Sequence, residues 1–231
     1  MANAIIMASG LGTRLQPLTL TTPKPLIKVH GIPMIETIIQ ALNRNNTEKI
    51  FIVVGYLKEK FDYLKEKYGN ISLIENPDYE RVNNISSIFY AKEVLKQGDA
   101  FICEADLYVR NAQLFTKNLV GSCYYGKYVK GYSSDWVFDS DEFGFITRVG
   151  KCGTDCYNMV GISYFTEKDA SVLSDKINEA YGKTGYETLF WDDVVNDNLT
   201  QLKLKISPVC DDDIYEIDTV EELNEINRGE K

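Results

Sequence analysis

The chain has 231 residues, 44% hydrophobic and 26% charged, with a net charge of −9. That length and balance suit one globular α/β domain, 1–231, and exclude a disordered chain. The acidic balance argues against a nucleic-acid or acidic-membrane binder, since both partners are polyanions, while still allowing a few lysines and a metal ion to make one pocket positive.

The elements read as follows in chain order. Ile5-Ile6-Met7 is a buried strand. A loop rich in Gly, Thr and Pro runs from Ala8 to about Ile32, and a helix spans 33–42 with Pro33 at its start. Residues 49–54 form a second buried strand, 57–67 a charged amphipathic helix ended by Gly69, and 71–74 a third strand. Helical spacing of Ile85, Ile88, Phe89 and Val94 places a helix over 85–95, and 100–104 is a strand that delivers Asp106 just past its end. Residues 120–165, in short runs rich in Tyr, Val, Gly and Phe, read as antiparallel strands added to a parallel sheet. Helices follow over 170–181 and 188–196, then a strand at 203–206 and a last helix beginning at Thr219. Strands alternating with helices predict a Rossmann-like α/β fold: a mixed, mostly parallel sheet, helices on both faces, and a small antiparallel extension. About 1–119 forms the nucleotide-binding core, and about 120–231 the acceptor lobe and closing elements.

Five cysteines and no basic region before the short apolar N-terminal run point to reduced thiols in the cytoplasm and to no membrane span. Cys152 and Cys156 are four apart, but zinc would need two more ligands, and the only histidine, His30, is distant in sequence. The Asp211-Asp212-Asp213 run reads as a solvated turn.

Chemistry concentrates first in the glycine loop, Ala8-Ser9-Gly10-Leu11-Gly12-Thr13-Arg14-Leu15, followed by Thr22-Pro23-Lys24-Pro25-Leu26. Glycines let backbone N–H groups approach phosphate oxygens, Arg14 offers a planar fork, and Lys24 a compact cation. The dinucleotide fingerprint would need glycine where Leu15 stands, and the P-loop Gly-Lys-Ser/Thr is absent.

These motifs together, Gly-x-Gly-Thr-Arg-Leu, Pro-Leu-Thr and Pro-Lys-Pro-Leu, resemble the signature of the sugar-phosphate nucleotidyltransferase superfamily. The resemblance implies a Rossmann-like sheet, a triphosphate held by the glycine loop and Arg14, and reacting phosphates stabilised by Lys24. A narrower resemblance, to bacterial phosphocholine cytidylyltransferases, covers nearly the whole chain. It rests on Gly55-Tyr56-Leu57-Lys58-Glu59, residues 61–69, Asn83-Asn84, Phe190-Trp191-Asp192-Asp193 and Ile214-Tyr215-Glu216-Ile217-Asp218. It implies transfer of CMP from CTP to phosphocholine. Phosphoethanolamine, 2-aminoethylphosphonate or a sugar 1-phosphate are alternative acceptors. A non-catalytic nucleotide-binding regulatory domain is the alternative of another class; retention of Arg14, Lys24, Asp106 and Asp218 speaks against it. The chain departs from the family at Glu104-Ala105-Asp106-Leu107, where Asp-Ala-Asp is more frequent, and at Ser9, where a second alanine is common.

Attack of one phosphate anion on another needs a hard cation to offset charge, and Mg²⁺ takes one or two carboxylates together with phosphate oxygens. Asp106, Asp218 and Glu216 are the ligands the resemblance implies, although Asp218 also fits a helix N-cap. No general base is required, because the acceptor phosphate is already ionised near neutral pH. A quaternary ammonium cannot donate N–H bonds and is held against aromatic faces. Trp136, Phe190 and Trp191 are read as such a cage, with Glu187, Asp192 and Tyr215 beside it; core packing is the competing reading. Asn83 and Asn84 could read the pyrimidine or cap a helix. CTP and a small phosphate-bearing amino alcohol are thus the expected partners, with no nucleic acid and no membrane; a homo-oligomer is left open.

Overall fold

The structure, a computed structural model, describes residues 2–116 and 119–229. Met1, Lys117, Asn118, Glu230 and Lys231 of the expected domain lie outside the described residues.

In chain order the elements are β1 (Asn3–Ala8), β2 (Lys28–Val29), β3 (Ile32–Pro33), α1 (Met34–Arg44), β4 (Ile50–Val54), α2 (Tyr63–Lys67), β5 (Ile71–Glu75), α3 (Ile85–Ala91), β6 (Ala100–Glu104) and β7 (Leu107–Val109). There follow β8 (Cys123–Ser140), β9 (Ile146–Phe165), α4 (Glu167–Ala180), α5 (Trp191–Asp197), β10 (Lys205–Pro208), β11 (Ile214–Glu216) and α6 (Val220–Arg228). One seven-stranded sheet runs in the order β10-β8-β9-β6-β1-β4-β5. β1, β4, β5 and β6 are parallel, while β9 joins β6 and β8 antiparallel, as the sequence pattern indicated.

The alternation of β1 explains why both faces are covered. Ala4, Ile6 and Ala8 pack with Ile35, Ile38, Ile39 and Leu42 of α1. Ile5 faces the other side, with Ile85 and Ile88 of α3, Leu173 and Ile177 of α4, and Val194 and Val195 of α5. A strand buried on both faces reads as a continuous apolar run, which is why it was legible. A third cluster, of Leu15, Ile27, Val29 and Met34 with Ile217, Leu223 and Ile226, pins α6 onto the glycine-loop segment.

Three expectations change in detail. The helix expected over 57–67 is a 3₁₀ turn at Lys58–Phe61 followed by a five-residue α2, since Leu57 adopts φ 49° and cannot continue a helix. The helix expected over 85–95 passes at Lys92 into a 3₁₀ turn. The segment read as helix over 188–196 holds an extended Phe190 before α5. Among the described residues no helix is long and apolar enough to cross a membrane.

The sheet positions the site. β1 and β6 are adjacent and parallel, so the glycine loop after Ala8 and the acidic segment after Glu104 leave from the same end, where ligands of open α/β sheets bind. The small antiparallel pair of β7 and β11 then carries the C-terminal segment back: Glu216 lies opposite Leu107, and the Ile217 N–H donates to the Asp106 carbonyl at 3.1 Å.

Candidate active site

A cavity of about 590 Å³ opens at this end of the sheet. Its wall includes Ala8, Ser9, Gly10, Gly12, Thr13, Arg14 and Lys24 from the first loop, Asn83 and Asn84, then Asp106, Trp136, Phe190, Glu216 and Asp218. The fold therefore brings together most of the side chains singled out from the sequence.

Lys24 is the centre of the charged end. Gly12, with φ 62°, turns the loop back so closely that a Cβ there would lie 2.8 Å from the Lys24 Cβ. A side chain at position 12 would therefore displace Lys24 as well as strain the turn. The Lys24 ammonium donates to Asp106 Oδ2 at 2.7 Å and to Asp218 Oδ1 at 2.5 Å. Burial opposes its charge, but Asp106 and Asp218 outweigh burial and hold the ammonium above its ordinary pKa. Arg14, largely exposed, reaches Asp218 Oδ2 at 2.6 Å and leaves the rest of its fork facing solvent.

Asp218 is not a helix cap. Thr219 caps α6: its Oγ1 accepts the Glu222 N–H at 3.2 Å, and Glu222 Oε2 accepts the N–H groups of Thr219 and Asp218. This reciprocal box satisfies the helix start and leaves the Asp218 carboxylate to Lys24 and Arg14.

The carboxylates that converge on one another are Glu104, Asp106 and Glu216, with ligand oxygens within 4.8 Å of one another. Asp218, expected among the ligands, here faces Lys24 and Arg14, as Asp106 also faces Lys24, and Glu104 joins Asp106 and Glu216 in the convergent set. Glu104 is pushed well above the usual carboxylate range by burial and then by Asp106 and Glu216. Glu216 opens to the cavity yet sits deep among protein atoms. That burial, with the facing Asp106 and Asp218, pushes it up to about 8. Asp106 Oδ1 is buried with no hydrogen-bond partner, an orphaned acceptor beside two acids. An all-oxygen set with an unused buried acceptor fits a hard divalent cation.

The aromatic wall is smaller than expected. Trp136 and Phe190 meet edge to face, with centroids 5.3 Å apart, and both line the cavity. Trp191 does not: it is 3% exposed, stacked on Tyr124 and packed against Phe165 in the core. It is the first residue of α5, and extended Phe190 before it sends the two rings different ways. Asp192 is also core, accepting the Tyr124 hydroxyl at 2.9 Å. Glu187 is exposed on its turn, and Tyr215 stacks on Tyr108 and bonds to Asp212, so neither joins the cavity wall.

Asn83 and Asn84 line the cavity; Asn84 occupies the N-cap of α3 but its side chain makes no cap hydrogen bond there. The Asn83 N–H and Nδ2 donate to the Glu187 and Thr188 carbonyls, and Asn84 Oδ1 accepts the Trp191 N–H at 3.0 Å. They tie the 187–191 segment, and so Phe190, to the start of α3.

Residues 3–168 match the nucleotidyl transferase family. The chain belongs to that family. It is 53% identical to the 2-aminoethylphosphonate cytidylyltransferase of Lancefieldella rimae, over 98% of this chain and 92% of that protein. It is 36% identical to the choline-phosphate cytidylyltransferase of Streptococcus pneumoniae, over 98% of this chain and 99% of that protein. The solved CTP:phosphocholine cytidylyltransferase of Streptococcus pneumoniae superposes with a TM-score of 0.91 at 34% identity, covering 100% of this chain and 99% of that one.

The sequence reading of this nucleotidyltransferase missed Asp135, Lys151, Ser86 and Ser87, all on the cavity wall. Ser86 and Ser87 carried a signal, two small polar residues where α3 faces the first loop. Lys151 lies on a strand whose register is broken by bulges, so nothing in its spacing marks it.

Buried Asp192 yields a pH prediction. Burial, eased by the Tyr124 hydroxyl, pushes its carboxyl up to about 7. The folded state thus holds a proton that the unfolded chain releases near pH 4, and the resulting stability is lost as pH rises toward 7. Asp192→Asn is expected to match the parent near pH 4 and to exceed it by about 2–4 kcal/mol at pH 8, from about 1.4 kcal/mol per pKa unit. Urea melts at the two pH values check this, and equal differences at both would refute it.

Proposed function

We propose that the chain transfers CMP from CTP to 2-aminoethylphosphonate and releases pyrophosphate. An oxygen of the acceptor phosphonate attacks the α-phosphorus of CTP, the α–β bridging bond breaks, and pyrophosphate takes the electron pair. The observation that carries this acceptor is 53% identity over nearly the whole chain to a protein of that activity, against 36% to a choline-phosphate enzyme. Phosphocholine, the first acceptor read from the sequence, gives way to it.

The cavity wall supports the same choice. With Trp191 in the core, Trp136 and Phe190 are the two of the three expected cage aromatics that face the cavity, and the Lys151 ammonium lies 5.8 Å from each ring centroid. This resident cation occupies the aromatic faces that a trimethylammonium head would need and offers a partner for the acceptor's anionic end, whichever cationic head the acceptor carries. A primary ammonium needs oxygen acceptors, and Asp135 offers a carboxylate on the same wall.

Mg²⁺ is the proposed cofactor, held by Glu104, Asp106 and Glu216. When bound, it offsets the negative charge of the triphosphate. The chain's own groups do the rest: the glycine loop and Arg14 bind phosphate oxygens, and Lys24 stabilises charge moving onto the leaving pyrophosphate. The acceptor arrives ionised, so no residue has to take its proton.

Pyrophosphate release with CTP and a panel of 2-aminoethylphosphonate, phosphoethanolamine and phosphocholine tests the reading. The expected result is a kcat/KM for 2-aminoethylphosphonate at least about tenfold above phosphocholine. A preference for phosphocholine would overturn the acceptor, and no turnover with any of the three would overturn the reaction.

A further inference from the structure

One stretch of the cavity wall carries no charge. Ser9, Ser86 and Ser87 line it, flanked by Tyr79 and Val82. Phosphates belong at the end with Arg14 and Lys24, and the acceptor beside Trp136 and Phe190, so the neutral stretch is left for the base of the nucleotide.

Beneath it lies a buried polar network centred on Asn76, itself 1% exposed. Asn76 Nδ2 donates one hydrogen to Ser86 Oγ at 2.8 Å and shares the other between Ser9 Oγ at 3.2 Å and Ser87 Oγ at 3.4 Å. Its orientation is fixed chemically: the other end of the carboxamide accepts the Asp78 N–H at 3.0 Å, so that end is oxygen and this end is NH₂. Ser86 commits its own proton to the Asn83 carbonyl at 2.9 Å. Ser9 and Ser87 lie 2.9 Å apart and share one hydrogen bond. Two hydroxyls hold two protons, and one joins them. Asn76 can only donate to them, so among the described hydrogen bonds the second proton has no acceptor inside the protein. It is left for the cavity.

We propose that the Ser9–Ser87 pair, oriented by Asn76, is the hydrogen-bond donor that selects cytosine over uracil. Resting on the CTP reading above, this assigns base choice to the hydroxyl pair and not to Asn83, whose N–H and one amide hydrogen tie it to the Glu187 and Thr188 carbonyls. Cytosine N3 is an acceptor and takes the outward proton. Uracil presents N3–H at that position, which leaves two donors face to face and the hydroxyl unpaired. Ser9, which stands where alanine is common in the family, is thereby given a function. Asn76 is a positioning residue, acting only through the serines.

The test uses the Ser9→Ala/Ser87→Ala double variant and Asn76→Asp. The double variant removes both hydroxyls. In Asn76→Asp a second oxygen replaces the NH₂ and draws the outward proton inward. Melting temperatures establish folding, and titration calorimetry with CTP and UTP, beside kcat/KM for both, gives the readout. The double variant is expected to lose about tenfold to a hundredfold in CTP affinity with little change for UTP, so that the preference collapses. Asn76→Asp is expected to lose the preference in the same way. A folded double variant that keeps the parent CTP-to-UTP ratio within about twofold would overturn the proposal, whatever Asn76→Asp does. Calorimetry needs no acceptor, so the inference is decided even if the acceptor panel overturns the reaction.

Discussion

Asp106→Asn is expected to lower kcat by about three orders of magnitude while making the protein no less stable. The two effects have one cause. Asp106 Oδ2 accepts the Lys24 ammonium, and Oδ1 is buried without a partner beside Glu104 and Glu216. An asparagine keeps its oxygen toward Lys24, because the ammonium can only donate. Its NH₂ then points at the two glutamates, supplying hydrogen bonds where a carboxylate supplied repulsion. The folded state gains, yet the site loses an anionic oxygen that a hard cation requires, and with it charge stabilisation where a single missing donor can cost about 10²–10³. Pyrophosphate release and a thermal melt on one preparation measure both. Activity within about tenfold of the parent would remove Asp106 from the site, and a falling melting temperature would refute the hydrogen-bond account of the substitution.

The local chemistry of the first half was legible because each signal is short-range. Apolar runs gave β1, β4, β5 and β6, and glycine spacing with Arg14 and Lys24 marked the loop after β1. What stayed hidden depends on contacts between distant segments. Pairing of β7 with β11 places Asp218 beside Lys24, and nothing in three-residue strands announces such a pairing. Phe190 and Trp191 are adjacent in sequence, and only the extended backbone at Phe190 decides that one ring lines the cavity and the other fills the core. Asn76 reads as a turn residue before Pro77, and its link to Ser9 across 67 positions becomes visible only when β5 is laid beside β4 and β1. A capping box can be read from Thr219 and Glu222, and reading it would have freed Asp218 from the role of N-cap.

Lys24→Ala is expected to lower kcat by at least about two orders of magnitude, on the order of 3 kcal/mol, with KM for the acceptor changed only a few-fold. The ammonium already sits between Asp106 and Asp218, held above its ordinary pKa by them against the cost of burial, so it acts as a fixed charge and never as a base. A fixed charge matters most where new charge appears, on the oxygen that leaves with pyrophosphate, and the ground state feels it less. Removing it leaves Asp106 without a cation and Asp218 with Arg14 alone, so a modest loss of stability accompanies the loss of rate. Two further measurements separate charge from packing. Lys24→Met fills the space without the charge and is expected to be as slow as alanine. Added propylamine is expected to restore part of the alanine variant's rate and none of the methionine variant's, because only the first has room for it. A methionine variant as fast as the parent, or a change confined to the acceptor KM, would place Lys24 outside the chemical step.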